Sequence, residues 1–466
     1  MKKYMSWIIP ILVGVIIWFM PVPEGLKPQA WHLCAIFAGT ILGFILQPLP
    51  IGALSIISIV ITAVTNTLKI GDGLAGFANT AIWLIVAAFL FSRGFIKTGL
   101  GKRIAYTMIT AVGSNSLKLS YALVISDLIL SPATPSNTAR AGGVIYPIPK
   151  SLASAFGSEP GGTARKIGAY LIQTIYQGNT ITSAMFMTSM AGNTLVASLI
   201  AASFGYTITW GDWAIAAIVP GLVALIVMPL VLYFIYPPEL KDTREIQAHI
   251  AQELKELGSM SFAEKVMLGV FILSLILWAT GQFTGLNATT VALLGVSILL
   301  ITKVLTWSDV TEEKGGWDTL IWMGTMMALA SQLNKLGFIP WFAKIVGDQV
   351  AGIDWIMAFM ILILIYTYSH YLFASLTVHI TAMYVVFVAV AISAGTPPYL
   401  AMLAFAFFSN LCMSLTHYAA GPSPILFNSG YVPQNTWWRL GFIASVVNLV
   451  IWLGVGSMWW KVLGLW

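Results

Sequence analysis

The sequence predicts an all-α polytopic membrane protein of about eleven transmembrane helices and two re-entrant helical hairpins, arranged as two inverted-topology repeats. Three observations predict it. First, 58% of the 466 residues are apolar and 9% are charged, against about 25% charged in a soluble domain. Mean hydropathy is +0.87. A soluble enzyme, a disordered chain and a nucleic-acid binder are thereby disfavoured. Second, apolar runs of membrane-crossing length recur along the whole chain. Third, short strings repeat at one fixed offset, with an odd number of spans between them.

A helix needs about 20 mostly apolar residues to cross roughly 30 Å of hydrocarbon. Such runs lie near 5–20, 30–46, 50–67, 80–97, 164–190, 213–236, 264–282, 286–303, 318–334, 397–416 and 438–460. Segments 117–155 and 354–395 are apolar but interrupted by Ser, Thr and Pro, and they read as hairpins dipping into the membrane. The opening run has no small-residue cleavage site before Pro21-Val22-Pro23, so it is expected to stay as a first helix. The hydrophilic stretch 237–262 mixes Lys241, Asp242, Arg244, Glu245, Glu253, Lys255 and Glu256 at helical spacing, and reads as a solvated linker helix. The expected units are a first helix in 1–29, a first repeat in 30–236, the linker in 237–262 and a second repeat in 263–466.

Charge sets the expected orientation. With the N-terminus cytoplasmic and the C-terminus outside, 16 of the 23 Lys and Arg face the cytoplasm and five face out, leaving Arg93 and Arg140 at membrane depth. That asymmetry follows the positive-inside rule for a multi-pass membrane protein. The net charge of +6 has the same source and indicates no nucleic acid. Cys34 and Cys412 both sit in apolar runs, which argues against a disulfide framework or metal cluster.

The repeat is read at two places. Asn79-Thr80-Ala81-Ile82-Trp83 returns as Asp318-Thr319-Leu320-Ile321-Trp322, and Ser136-Asn137-Thr138-Ala139-Arg140 as Ser375-Leu376-Thr377-Val378-His379, both at an offset of 239. Ala191-Gly192-Asn193-Thr194 has a looser echo in Ala420-Gly421-Pro422-Ser423. Five spans and one hairpin per half force the second half to enter the membrane upside down, the architecture of secondary transporters with a midplane site.

In the first hairpin, Pro132 and Pro135 stop the incoming helix, and Ser136, Asn137 and Thr138 stand where a new one begins. A helix start offers free N–H groups and a positive dipole end, which suits a carboxylate. Ser375, Leu376 and Thr377 repeat the arrangement in the second hairpin, so two opposed tips suit a ligand with an acid at each end. Arg140 and His379 hold matching places beside them. A cation at membrane depth is costly and by default functional. The alternatives are a structural ion pair with Asp127 for Arg140 and an ordinary interior histidine for His379. Asn193 with Thr194, and Gly421, Pro422 and Ser423, mark unwound segments that bare backbone groups to a ligand. No nucleophile elbow or metal-ligand spacing is present, so a membrane-embedded enzyme is the distant alternative, and neither a cofactor nor a metal is expected.

These residues resemble the divalent-anion/sodium symporter family over essentially the whole chain, and most of all its citrate/succinate and 2-oxoglutarate/malate translocator branch. The resemblance rests on Ser136-Asn137-Thr138, Ser375-Leu376-Thr377, Ala191-Gly192-Asn193-Thr194, Gly421-Pro422-Ser423-Pro424 and Leu415-Thr416-His417-Tyr418. It implies a homodimer in the lipid bilayer with a fixed scaffold and an elevator-like transport domain, carrying dicarboxylates on its two Ser-x-Thr tips. One departure stands out: where sodium-coupled members have a second Asn, this chain has Leu376, whose side chain cannot ligate a hard cation. The expectation is sodium-independent exchange of C4/C5 dicarboxylates, with Arg140 and His379 as fixed countercharge. The alternative is a sodium-coupled dicarboxylate or citrate symporter.

Overall fold

Helices begin and end where the local chemistry tells them to. Asn79 accepts from Ala81 N–H at 2.9 Å and opens the helix Thr80–Thr98, which Gly99 closes in the left-handed conformation. Reciprocal capping boxes, Thr209 with Asp212 and Ser261 with Glu264, open Trp210–Ile235 and Phe262–Ala279. The computed structural model describes residues 2–350 and 354–466. Among the described residues it is all helix and turn, and nine helices are long and apolar enough to cross a membrane. Side chains such as Phe19, Val64, Phe234 and Ile301 are exposed, as lipid-facing residues are.

The first expected hairpin is Ser116–Leu130, a turn at Ser131–Ala133, an extended break, a wide π-type turn over Ala139–Ile145 and the helix Pro147–Ala155. The second is Trp355–Ser369, a turn at His370–Leu372, a break and Leu376–Ser393. The run expected as one span over 164–190 is instead Gly168–Met185, a 3-10 turn at Met187–Ser189 and a further helix, Ala191–Phe204. Every residue of Gly168–Met185 is buried, including Gln173, Gln177, Asn179 and Thr180. Its polarity faces protein on all sides, so hydropathy underrates it. Pro398–Leu411, buried from Leu400 onward, is the other central helix.

Among the helices that fall outside the expected spans are Leu100–Val112 and Phe338–Val350. At 13 residues each they are too short to cross. Leu100–Val112 receives the linker helix Arg244–Glu256 through the buried pair Ile246 and Ile250, one helical turn apart. Gln247 Nε2 donates to Thr110 O at 2.7 Å and Thr243 Oγ1 to Gly113 O at 2.7 Å. Just upstream, Glu239 and Leu240 N–H donate to Arg165 O and Lys166 O. Arg103 joins Glu264 at 2.6 Å, tying the far end of this strap to Phe262–Ala279.

Candidate functional site

The two hairpin tips meet at one cavity of about 230 Å³. Ser136, Asn137 and Thr138 line it from the first tip, Ser375, Leu376 and Thr377 from the second. Met190, Ala191 and Gly192 reach it from the break between the central helix and Ala191–Phe204, and Ala420 and Gly421 from the matching break after Pro398–Leu411. Phe89, Thr319 and Trp322 close the wall. The volume falls below the roughly 300–1,000 Å³ of pockets for drug-sized ligands, which points to a small solute.

Each polar edge of the cavity is a helix start. Ser136 Oγ accepts from Ala139 N–H at 3.1 Å, and Ser375 Oγ from Val378 N–H at 3.4 Å. Ala191–Phe204 begins at Met190, whose sulfur accepts from Gly192 N–H. Three helix N-termini therefore converge, each carrying about half a positive charge. The arrangement can hold a small anion and orient it between two tips. It holds no nucleophile–base pair. Contact across the repeats is close: a Cβ on Gly421 would collide with Thr138 Oγ1.

Six residues expected at the site lie outside the cavity lining. Arg140 is completely buried and turned away. Its Nε donates to Asp127 Oδ1 at 2.9 Å, Nη1 to Thr134 O at 2.7 Å and Ser189 O at 2.8 Å, and Nη2 to Ser183 Oγ at 3.1 Å and Thr182 Oγ1 at 3.3 Å. Asp127 also accepts from Asn179 and Thr182. The pair has no net charge, so the reading of Arg140 as free countercharge is corrected: the structural pair with Asp127 is what forms. The guanidinium instead clips the first hairpin to the Met187–Ser189 break through two backbone carbonyls.

His379 is buried with its Nε2 3.1 Å from Ser369 Oγ and its ring centroid 4.4 Å from that of Tyr366, the planes tilted by 33°. The offset of 239 puts Tyr366 where the first repeat has Asp127, so His379 faces a phenol and no carboxylate. Asn193 Nδ2 donates to Ser183 O and Phe186 O, and its Oδ1 accepts from Asn410, which pins the break in shape. Thr194 Oγ1 returns to Ala191 O at 2.9 Å. Ser423 Oγ accepts from Ala420 N–H and bonds Tyr176 OH, and Pro422 starts the short helix Pro422–Phe427 that contains it. These side chains shape the cavity from behind. Sequence reasoning missed Phe89, Thr319 and Trp322 as wall residues, although the last two belong to the repeated string 318–322.

A second space of about 600 Å³ shares Phe89, Ser136 and Thr138 with the cavity and continues past Arg93, Lys97, Asp309 and Glu313. Lys97 Nζ lies 2.5 Å from Asp309, while Arg93 lies 3.4 Å from Asp309, 3.2 Å from Glu312 and 3.8 Å from Glu313. Partial burial raises the Asp309 carboxyl. The Lys97 ammonium and the N–H and hydroxyl of Thr306 outweigh it and hold Asp309 well below the usual carboxylate range. Burial pushes Glu313 the other way, above that range, against the pull of Arg93 and the N–H groups of Gly315 and Gly316.

Residues 1–466 match the family described as the sodium:sulfate symporter transmembrane region. YflS of Bacillus subtilis (strain 168), which carries malate transport in its name, is 54% identical over 465 residues, spanning 100% of this chain and 97% of that one. Dicarboxylate transporter 1, chloroplastic, of Spinacia oleracea is 49% identical over 459 residues, 98% of this chain and 81% of the relative. The solved structure of MtrF from Neisseria gonorrhoeae shares the fold at 12% identity, with a TM-score of 0.59 over 98% of this chain and 94% of that one. YdaH from Alcanivorax borkumensis does so at 11% identity, with a TM-score of 0.60 over 99% and 98%. The chain thus belongs to the sodium:sulfate symporter family, and it is a multi-pass membrane transporter, not an enzyme.

Proposed function

We propose that the protein exchanges small dicarboxylates across the bacterial plasma membrane, one for one and without sodium. The observation that carries this reading is the pair of Ser-x-Thr tips, 136–138 and 375–377, on one cavity at three helix N-termini. Their summed partial charges amount to more than one positive charge, delivered as N–H groups fixed in place. A dianion bridging the tips satisfies them. The names of the relatives, malate and dicarboxylate transporters, support the same cargo.

Sodium independence is supported from both tips. At the first, the Arg140 guanidinium already occupies Thr134 O and Ser189 O, carbonyls of the kind a hard cation would need. At the second, Leu376 offers no side-chain oxygen. Nothing cationic leaves with the cargo, and the emptied site keeps its polarised helix ends. Carrying those through a dry barrier without their anion costs desolvation, so return is favoured only when another dianion is bound. The body holding both hairpins moves as an elevator against a scaffold built around Thr80–Thr98 and Lys314–Lys335, in a homodimer, with the N-terminus cytoplasmic and the space beside Arg93 and Lys97 opening to the cytoplasm.

The test is uptake of labelled succinate into proteoliposomes. Uptake is expected only when the lumen holds unlabelled dicarboxylate, at the same rate in sodium and in choline. Strong uptake into empty vesicles under a sodium gradient would establish the sodium-coupled symporter in its place.

A further inference from the structure

Behind the second hairpin tip, His370, His379 and Cys412 are all fully buried, and one ligand atom from each lies within 4.8 Å of the others. Hydrogen bonding determines which nitrogen of each ring is bare. His370 Nε2 lies 3.0 Å from Ala419 O, and a carbonyl only accepts, so Nε2 carries the proton and Nδ1 has a free lone pair. That Nδ1 is buried without a hydrogen-bond partner. The Ser369 hydroxyl donates to Tyr366 O at 2.8 Å, so Ser369 Oγ accepts from His379 Nε2–H, and the lone pair of His379 Nδ1 is left for the Cys412 thiol alone. It faces Cys412 Sγ at 3.9 Å.

Two imidazole lone pairs with their far N–H groups anchored on oxygen, beside a thiol, make the donor set and outer shell of a transition-metal site. Nitrogen and sulfur donors select a zinc-like ion over sodium or calcium. With metal–nitrogen bonds of about 2.0–2.1 Å and a metal–sulfur bond of about 2.3 Å, tetrahedral ligand atoms sit roughly 3.5 Å apart, so the trio must close by about 1 Å. We propose that His370, His379 and Cys412 bind a divalent ion of the zinc class, and that the bound metal arrests transport by locking the second tip against the end of the central helix Pro398–Leu411, so that the Ser375–Thr377 edge of the cavity can no longer open to take or release cargo. Binding is a proton exchange without redox: Cys412–SH gives up its proton, the sulfur bonds the metal, and the proton leaves to solvent.

The experiment uses the purified full-length chain, first without dicarboxylate, so its outcome is separate from the exchange reading. Equilibrium dialysis with Zn²⁺ is expected to find one ion per chain, and Co²⁺ to give a thiolate-to-cobalt absorption band that no structural change alone produces. Exchange in proteoliposomes is expected to fall at least tenfold in Zn²⁺ and to return with a chelator. Cys412→Ser is expected to lose the cobalt band and the zinc block while exchanging normally without metal, and His370→Gln to bind zinc at least tenfold more weakly. No stoichiometric zinc, no thiolate band, or a Cys412→Ser protein that binds zinc as the parent does would overturn the site. Stoichiometric binding with undiminished exchange would overturn the arrest.

Discussion

Arg140 and Asp127 form a closed ion pair, 2.9 Å apart and almost wholly inaccessible, in which every guanidinium N–H has an acceptor. The second repeat replaces the pair by His379 against Tyr366. Removing one member of a buried pair strands the other charge, at a cost of about 3–5 kcal/mol, whereas replacing both by apolar residues is often close to neutral. Arg140→Met is therefore expected to lower the melting temperature and yield sharply, and Arg140→Met with Asp127→Leu to recover much of the loss. Thermal unfolding in detergent measures it. A double variant no better than the single one would show that the guanidinium's other bonds, to Thr134 O and Ser189 O, dominate.

The direction of Arg140 is what its sequence context could not convey. Proline, Ser and Thr placement makes both hairpin tips readable, because a broken helix at membrane depth is tolerated only where it is buried in protein or lines a cavity. Depth alone says that Arg140 needs a partner, and an anionic cargo and Asp127 satisfy that need equally well on paper. The wide turn over Ala139–Ile145 decides between them in three dimensions. Asn193 and Ser423 pose a related choice. A polar residue at an unwound segment either touches the ligand or holds the unwinding open, and both do the second. The short helices Leu100–Val112 and Phe338–Val350 carry no span-length signal, so only packing reveals them.

Thr138 and Gly421 bring the two repeats into contact across the cavity. Gly421→Ala is expected to force the first tip away, abolishing exchange and lowering the melting temperature. Adding Thr138→Ala removes the colliding hydroxyl and leaves the Cβ 3.2 Å from the new methyl group, a tight but tolerable contact. Thermal stability is expected to return in the double variant while exchange stays weak, since a hydroxyl lining the cavity is gone. Losing a hydrogen bond to a charged group costs about 1.5–3 kcal/mol, or roughly tenfold to 100-fold in apparent affinity. A competition series with succinate measures it.

Glu313 and Asp309 border the same passage with opposite tendencies. Glu313 is raised, so its favourable contribution to stability is full below the ordinary carboxylate pKa and is lost as pH rises through its folded value. Asp309 is depressed, so its contribution is present above the ordinary value and lost only as pH falls through its lower folded one. Between those limits, acidification neutralises Glu313 first and makes the passage less repulsive to a dianion. Apparent affinity from this face is expected to improve more steeply on acidification in the parent than in Glu313→Gln, which at neutral pH should already bind more tightly. Taking the ratio of the two profiles cancels protonation of the substrate itself. Parallel profiles would remove Glu313 from the access path.

Gly76 and Gly71 supply a matched pair for the wall behind the cavity. The turn Ala75–Ala78 lies so close to Lys314–Lys335 that a Cβ on Gly76 would strike Gly324 O and Ala328 N, which are backbone atoms and cannot swing aside. Gly71, in the short helix Ile70–Leu74, has nothing within 4 Å of the same added carbon. Gly71→Ala is expected to be neutral or to stabilise by about 0.4–1 kcal/mol, through a less mobile unfolded chain. Gly76→Ala must push Lys314–Lys335 outward and carry Thr319 and Trp322 with it, away from the tips. Its expected signature is a lower melting temperature together with weakened substrate competition, while Gly71→Ala changes neither in that direction. Equal behaviour of the two alanine variants would show that the wall yields freely and does not set the width of the cavity.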